Sequence, residues 1–485
     1  MVVSPDQSEP ILWPQSYSLW QKLALKALKG AGVDSLEHTT RDDFILKPIY
    51  PRAQNVQTMV HPDGVAAFEA RCDIPDATQA FSQIKDDTSC GAQAIALIGS
   101  EGVGAYGFGL THPEEVIAML CDDDCVRDIQ VRCDFNWRAA SQGFHLLSGV
   151  EHGRAPSCVH LGYDPFASMA LVGDYQPHWA VTSAKWLEIW LKTQVSSPAL
   201  RPQDTFWTVD GRIMHNTAAT PAQELAYMVA CGVSYLRMMQ DQAIDIAIGS
   251  RWMLFVLSVD SDQLMGIAKL RAFRVIWSRV LEACGVERAL PINLHVETSM
   301  RMMMTQDVHT NLMRTSIATL SALVGGAHHV SVLPFTQAVG LPDQQARRLA
   351  RNTMIILRDE AHLNLVQDPS AGSGSIEALT HNLAQKAWQM FQNIEEEGGL
   401  FRSLQSGAFK ERVSLARAQW LCSVQKGEEP RIGVDLYPPQ HAHSVDVLAP
   451  YIRDDDTHNR CFENGFYPVM RPDQALKSDA LSVSS

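Results

Sequence analysis

The feature of this sequence that most constrains its fold is an alternation of short apolar segments with helical segments over about 280 residues. Eight segments read as strands, because they are short, apolar and rich in β-branched or aromatic residues. They are 93–98, 129–135, 158–162, 206–209, 233–237, 291–296, 329–334 and 364–367. Helical periodicity is typical of the stretches 221–231, 262–284, 308–324 and 343–359. This order predicts an α/β protein, a closed parallel TIM (β/α)8 barrel wrapped in helices.

An open, doubly wound sheet is the alternative architecture for such a chain. No GxGxxG motif follows the first predicted strand, which disfavours a dinucleotide-binding sheet. Residues 99–107 are rich in glycine and follow a strand, but their spacing fits neither nucleotide-binding fingerprint. We interpret this segment as a flexible loop between a strand and a helix.

The segments that flank the barrel predict additions to one large domain. Residues 1–60 read as an N-terminal extension and interface arm, with an amphipathic helix over 16–32 and a hairpin over 38–52. The barrel is expected over 61–400, a helical segment over 401–440 and a polar tail over 441–485. The extension is too small to hold a core of its own, so we expect it to lie on another surface.

Composition narrows the function classes. A net charge of −14 argues against nucleic-acid and anionic-membrane binding, which need clustered lysine and arginine. Ten scattered cysteines favour reduced thiols in the cytoplasm, and the pair Cys121 and Cys125 is too isolated to predict a metal site. The N-terminus has no pattern of a secretory signal, and no apolar stretch approaches the roughly 20 residues of a spanning helix.

Several ordered motifs resemble those of the methylmalonyl-CoA mutase family. The most specific is RLARNTMIILRDEAHLNLVQDPSAGSGSIEALT, at 348–380. Segments 210–237, 262–280, 295–315 and 432–437 are similar to further family motifs in the same order. The opening WQKLALKALKGAG and LKPIYPR resemble the family's small chain. The resemblance implies a complex that rearranges the carbon skeleton of an acyl-CoA through an adenosylcobalamin radical, inside a barrel whose axis threads the substrate.

The resemblance also predicts that this chain binds no cobalamin. The family's cobalamin domain carries a DxHxxG motif and needs on the order of a hundred residues. Asp307 and His309 approach this motif but have Leu312 at the glycine position, so Asp307 is better interpreted as a helix cap. Asp456 and His458 have Cys461 there. Adenosylcobalamin is therefore expected in a partner subunit, with no cofactor or metal held by this chain.

The positions that carry catalysis in the family are altered. Catalytic members place an adjacent tyrosine and histidine where this sequence has Arg212 and Ile213, so no catalytic residue is predicted. A guanidinium cannot replace the aromatic wedge, and isoleucine cannot donate a proton to a thioester oxygen. His215 is two positions further on; it either turns inward or is an ordinary polar loop histidine.

Other contacts with substrate are also altered. His295 keeps a family histidine, but Glu297 replaces a neutral amide and is expected to repel the phosphates of an acyl-CoA. Residues 302–304 are methionines that are candidates to plug the barrel axis. Segment 66–77 lacks the aromatic and arginine anchors of the family's first strand. His215, His295 and Glu297 remain as candidate remnants of substrate binding.

These observations favour a non-catalytic small subunit of a heterodimeric methylmalonyl-CoA mutase, inactive alone, which stabilises a larger catalytic chain. Pairing is expected through the barrel helices and the N-terminal arm. One alternative is the catalytic barrel of a split acyl-CoA mutase that uses a separate cobalamin-binding chain. Another is a barrel that acts only as a scaffold for other proteins.

Overall fold

Eight parallel strands close into a barrel in the computed structural model, which describes residues 13–54, 56, 58, 66–123, 127–148, 156–196, 203–286, 291–363, 365–441, 444–451, 466, 469 and 471–474. The barrel strands are β1 Ala67–Cys72, β2 Ala94–Ile98, β3 Gln130–Asp134, β4 Cys158–Tyr163, β5 Thr205–Asp210, β6 Met253–Val259, β7 Asn293–Thr298 and β8 His329–Ser331. Each strand pairs with the next along the chain, and β8 pairs with both β7 and β1. The predicted TIM barrel is confirmed.

Helices cover the outside of the barrel and connect its strands. Those between the strands are Ala77–Ser89, Pro113–Asp122, Ala140–Ser148, Pro165–Val172, Trp179–Ser196, Arg212–Asn216, Pro221–Asp241, Ile246–Gly249, Gln263–Ala283 and Asn311–Val324. Gln344–Ile355, Gly374–Glu396, Leu400–Gln405 and Ala408–Gln425 follow β8. Local sequence fixes several starting points: Thr220 and Gln223 form a reciprocal capping box, and Asp262 accepts a hydrogen bond from the backbone of Met265.

Six of the eight predicted strands are present, and two are wrong. Residues 233–237 lie inside the helix Pro221–Asp241, where Gly232 lets the helix approach the ring of Trp277 closely. Residues 365–367 form bends, and residue 364 lies outside the described residues. The two strands that complete the barrel are β1 and β6.

The apolar core lies between the strands and the surrounding helices. Phe255 of β6 packs against Phe273 and Trp277 of the following helix, with ring centroids 4.8 Å apart in both pairs. Phe206 of β5 packs against Trp190 of the preceding helix. Burial of these aromatic rings holds the helical layer on the barrel and leaves the barrel axis to polar side chains.

The N-terminal extension has two parts with different surroundings. Its hairpin pairs His38–Thr39 with Ile45–Leu46, and the turn between them inserts into the barrel face. Asp42 is 1% exposed and accepts a hydrogen bond from the backbone of Ala222, while Arg41 donates to the Ala218 carbonyl. The preceding helix, Trp13–Ala27, instead leaves Leu19 and Leu23 60% exposed.

The C-terminal region contributes to the fold as well as forming a polar tail. Strand Val447–Pro450 pairs antiparallel with Gly340–Pro342, and Phe466 is 2% exposed in the main core. Residues 475–485 and the DxHxxG near-match at 456–461 lie outside the described residues. Over the part of the chain that the structure describes, no helix is long and apolar enough to cross a membrane.

Candidate functional site

The barrel axis and the carboxyl ends of its strands are the candidate site, because (β/α)8 barrels bind ligands at that end and the family resemblance predicts a substrate along the axis. Its lower layer contains three histidines and one ion pair, all buried. Glu69 of β1 pairs with Arg132 of β3 at 2.8 Å and with His295 Nδ1 of β7 at 3.0 Å. The His295 ring stacks on His329 of β8 at 4.0 Å and meets His160 of β4 edge-on at 5.1 Å.

This lower layer keeps its histidines neutral. Burial lowers the pKa of His160, His295 and His329, and the pKa of His160 and His329 lies well below the ordinary value. Burial also acts to raise the pKa of Glu69, but the charge of Arg132 and the hydrogen bonds from His295 and Arg132 outweigh it and hold this pKa well below the usual range. The layer is a buried carboxylate–guanidinium pair beside uncharged imidazoles.

The upper layer lies at the carboxyl ends of the strands and is centred on Arg212. Its guanidinium is fully buried and lies 2.6 Å from Asp210 Oδ2, 2.5 Å from Asp134 Oδ2 and 3.2 Å from Glu297 Oε2. Glu297 also pairs with Arg71 Nη1 at 2.5 Å. Four strands, β1, β3, β5 and β7, and the loop after β5 are thereby joined across the barrel axis.

Electrostatics in the upper layer are those of a closed ion network. Burial acts to lower the pKa of Arg212, but Asp134, Asp210 and Glu297 outweigh it and raise the pKa well above its ordinary value. Burial acts to raise the pKa of Asp134, yet Arg212 and Arg132 bring it to about 2. The charges in this layer therefore stabilise one another and leave none directed at a ligand.

Glu297 differs from the expectation made for it. Instead of presenting an unbalanced carboxylate to a substrate, it accepts hydrogen bonds from Arg71, Arg212 and the Tyr106 hydroxyl, the last at 2.6 Å. Segment 66–77 does contain an arginine on the axis, Arg71. Its guanidinium forms ion pairs with Glu297 and Asp73. The repulsion argument from Glu297 alone was wrong, because the charge is compensated.

The methionines after β7, which were candidates to plug the barrel axis, lie outside it. Met303 and Met304 are fully buried beyond the end of the strand, and the Met304 N–H donates to Asn311 Oδ1 at 3.0 Å. Met302 and Met303 belong to the main apolar core. The groups that fill the axis between the strands are the charged and imidazole side chains of the two layers.

The altered catalytic positions are both buried but serve different parts of the fold. Arg212 is the centre of the upper layer, and Ile213 is 3% exposed in the apolar core. His215 is also buried, and of the two alternatives left open by the sequence its side chain is the one that turns inward. Its Nε2 lies 2.7 Å from Ser299 Oγ, and its Nδ1 lies 3.6 Å from Glu224 Oε2.

Ser299, His215 and Glu224 lie next to one another in the sequence of contacts that a nucleophilic triad has, with the histidine between the hydroxyl and the carboxylate. Ser299 is nevertheless fully buried, and Lys269 Nζ lies 2.7 Å from the same oxygen of Glu224 that faces the imidazole. Burial lowers the pKa of His215 well below its ordinary value, so the ring is neutral. This cluster is suited to fastening the loop after β5 to the loop after β7.

Sequence reasoning missed four residues of the upper layer: Arg71, Tyr106, Asp134 and Asp210. For Arg71, Asp134 and Asp210 the signal in the sequence is a charge inside an otherwise apolar strand, which indicates an inward-facing polar partner. Tyr106 belongs to the glycine-rich segment interpreted as a loop, and it lies over the barrel axis. Arg212, Glu297 and His295 were identified, and the structure brings all three into the axis.

Of the two near-matches to the cobalamin motif, only the one at 307–312 lies among the described residues, and its side chains are engaged within the fold. Asp307 precedes the 3-10 turn Val308–Thr310, and its carboxylate accepts a hydrogen bond from the Thr310 hydroxyl. The His309 ring contacts the Phe335 ring at 5.3 Å. Among the described residues, no group of three or more metal-ligating side chains could hold a metal ion.

Comparison with known proteins identifies the family. A family model described as methylmalonyl-CoA mutase matches residues 197–459, more than half of the chain. A methylmalonyl-CoA mutase small subunit from Streptomyces virginiae is 38% identical over 313 residues, covering 64% of this chain and 50% of that protein. The small subunit from Propionibacterium freudenreichii subsp. shermanii is 33% identical over 341 residues, covering 69% and 51%.

The large subunit of the same Propionibacterium is more distant, at 29% identity over 288 residues, covering 59% of this chain and 37% of that protein. The chain thus spans about half the length of the curated small subunits that it matches. With the family model matching more than half of the chain and the small subunits more similar than the large one, the chain belongs to the methylmalonyl-CoA mutase family and is of its small-subunit type.

Proposed function

We propose that this chain is a non-catalytic small subunit of an adenosylcobalamin-dependent methylmalonyl-CoA mutase. It binds a larger catalytic subunit and stabilises it, and the larger subunit holds the cofactor and interconverts methylmalonyl-CoA and succinyl-CoA. The observation that carries this proposal is the occupied barrel axis, in which the ion network centred on Arg212 fills the space that an acyl-CoA would need.

The charge balance of the axis supports the proposal. Four arginines of the network, Arg71, Arg132, Arg212 and Arg347, meet five carboxylates, Glu69, Asp73, Asp134, Asp210 and Glu297. No positive charge remains in this network to bind the phosphates of a coenzyme A. Removing one partner to make room would leave a buried charge uncompensated, at a cost of about 3–5 kcal/mol.

The altered catalytic positions give independent support. Ile213 has no group that can donate a hydrogen bond to a thioester oxygen, and Arg212 is committed to three carboxylates. His215 and His295 are each hydrogen-bonded to another side chain of the barrel, Ser299 and Glu69. Any role of His215, His295 and Glu297 in binding substrate would require breaking these contacts.

An unpartnered apolar surface supports the binding role. Leu19, Leu23 and Leu25 of the helix Trp13–Ala27 are 60%, 60% and 45% exposed, so this helix buries little of its apolar surface on its own chain. Clustered apolar exposure of this kind marks protein interfaces. We assign the helix to the interface with the larger subunit.

The free thiols of the eight described cysteines agree with a reducing, cytoplasmic location.

Reconstitution tests the proposal. The chain is co-expressed with a larger, catalytic methylmalonyl-CoA mutase subunit, and mutase activity and the thermal midpoint of the complex are measured. We expect a one-to-one complex in which Arg212→Lys in this chain leaves the turnover number of the larger subunit unchanged.

The split-enzyme alternative gives a different result in the same assay. In that case this chain becomes active when a separate cobalamin-binding protein is added, without any larger mutase subunit. Cobalamin-dependent activity under those conditions would refute the non-catalytic role, and failure to bind any mutase subunit would refute the pairing.

A further inference from the structure

The glycine-rich loop after β2 enters the mouth of the barrel. A methyl group added at Gly104 would lie 2.6 Å from Arg212 Nη1 and 2.8 Å from Asp134 Oδ2, and one at Gly102 would lie 2.2 Å from the Asp134 carbonyl oxygen. The Gly104 carbonyl accepts a hydrogen bond from Arg71 Nη2 at 2.5 Å. Only residues without side chains can approach the charged upper layer this closely, which explains the glycines.

Tyr106 completes the contact between this loop and the barrel. Its hydroxyl donates to Glu297 Oε1 at 2.6 Å and accepts from the Asn216 amide at 3.2 Å. The loop therefore covers the upper layer from above and contacts Arg71 of β1, Glu297 of β7 and Asn216 after β5. A cover of this kind excludes water from the ion pairs, which are stronger in a low dielectric.

The C-terminal strand holds the loop in this position from the outside. The Tyr451 hydroxyl lies 2.6 Å from the Tyr106 carbonyl oxygen and 3.0 Å from the Gln337 carbonyl oxygen. The Tyr451 ring also packs on Phe108, with centroids 5.0 Å apart. One side chain thus joins the loop over the barrel to the segment after β8.

The loop and the C-terminal strand each have a feature that favours opening of the contact between them. Tyr106 has a φ of 46°, which is unfavourable for a residue with a side chain, and persists because its contacts hold it there. Strand Val447–Pro450 is four residues long, alternates between half-buried and exposed, and pairs with the three residues Gly340–Pro342. Short, half-exposed strands of this kind are among the first elements to open.

We propose that residues 99–109 form a lid over the barrel mouth and that residues 447–451 latch it, so that detachment of the C-terminal strand opens the mouth. The lid admits water to the charged upper layer when it opens. This device is separate from subunit pairing, because every contact in it lies within one chain.

Hydrogen exchange of Tyr451→Phe measured by mass spectrometry tests the latch. The substitution keeps the ring against Phe108 and removes the hydroxyl, so amides in 99–109 are expected to exchange about threefold to tenfold faster. Peptides from β6 should keep their wild-type exchange. The matched control is Tyr437→Phe, whose side chain belongs to a 78% exposed residue and should leave 99–109 unchanged.

Unchanged exchange of 99–109 in Tyr451→Phe would overturn the latch. An equal increase in every peptide would overturn it too, since the hydroxyl would then contribute only to general stability.

A second variant tests the coupling from the other side. Gly104→Ala places a methyl group against Arg212 and Asp134, so the lid should fail to close and both 99–109 and 447–451 should exchange faster. Gly32→Ala is its control, because a methyl group there meets nothing closer than 4.0 Å. If 99–109 opens while 447–451 keeps its wild-type exchange, the lid and the strand are independent, and the proposal fails.

Discussion

The barrel axis and the N-terminal helix Trp13–Ala27 differ in whether their side chains find partners within the same chain. The axis is made of charged groups, yet each carboxylate and guanidinium of the network has a partner within the same chain. The helix carries apolar groups, yet Leu19 and Leu23 remain largely exposed. This difference supports the proposed binding of a larger subunit, because only the exposed apolar surface still gains from a new contact.

The largest effect is expected on stability, from a substitution that removes one charge of the buried ion network. Arg212→Met leaves Asp134, Asp210 and Glu297 buried near one another without their shared cation. We expect the free energy of unfolding, measured in urea, to fall by about 3–5 kcal/mol. Arg237→Met is the matched control, because the Arg237 side chain in its ion pair with Glu395 is 57% exposed, so this pair should contribute under about 1 kcal/mol. Equal, small effects of both substitutions would mean that the axis does not depend on its charges.

The next largest effect is expected on subunit binding, from substitutions in the exposed apolar face of the helix Trp13–Ala27. Replacing both Leu19 and Leu23 with serine should weaken binding to the larger subunit by roughly a hundredfold or more, because burial of each leucine contributes about 1.5–3 kcal/mol and about 1.4 kcal/mol corresponds to tenfold in affinity. The stability of the isolated chain should change little, since these side chains are already exposed. Calorimetric titration with the larger subunit measures the first quantity and thermal unfolding the second. Lys22→Ser on the same helix is the control, and affinities equal to it would remove the helix from the interface.

A smaller effect, with a defined pH range, is expected in the lower layer of the axis. The pKa of His329 is well below its ordinary value in the folded chain, chiefly because of burial, so the unfolded chain takes up a proton below about pH 6.5 that the folded chain does not. Stability should therefore fall as the pH decreases from about 6.5, by up to about 1.4 kcal/mol per pH unit for each such histidine.

His329→Phe tests this dependence, because the ring can still stack on His295 but cannot take up a proton. The slope of unfolding free energy against pH between 6 and 5 should be shallower in the variant by about one proton, as measured by urea unfolding at several pH values. His381→Phe, at a position outside the axis, serves as the control. Parallel slopes for the wild type and His329→Phe would show that this histidine does not titrate with unfolding.

The comparison also explains how far the sequence could be interpreted. The alternation of apolar and helical segments was sufficient for the barrel, because burial of outward-facing side chains dominates that pattern. It failed at β1, where Glu69 and Arg71 interrupt the apolar run, since the inner face of this barrel is polar. An apolar run at 233–237 was taken for a strand because periodicity over five residues cannot distinguish a strand from a buried helix.

The site was predicted only in part, for a related reason. Comparison with family motifs identified Arg212, Ile213, His295 and Glu297 as altered or retained positions. Their partners could not be inferred, because the pair Arg212 and Asp134 joins residues 78 positions apart and depends on the closure of the barrel. The sequence therefore indicated that catalysis was lost, whereas the structure shows what occupies the axis.

Calorimetric titration of the purified chain with methylmalonyl-CoA tests the central claim most directly. An axis filled by a balanced ion network should give no binding heat at ligand concentrations up to about 1 mM, which limits any affinity to a weak, nonspecific level. Stoichiometric binding with a micromolar Kd that Arg212→Met abolishes would contradict the account, because it would show that the axis opens to a substrate.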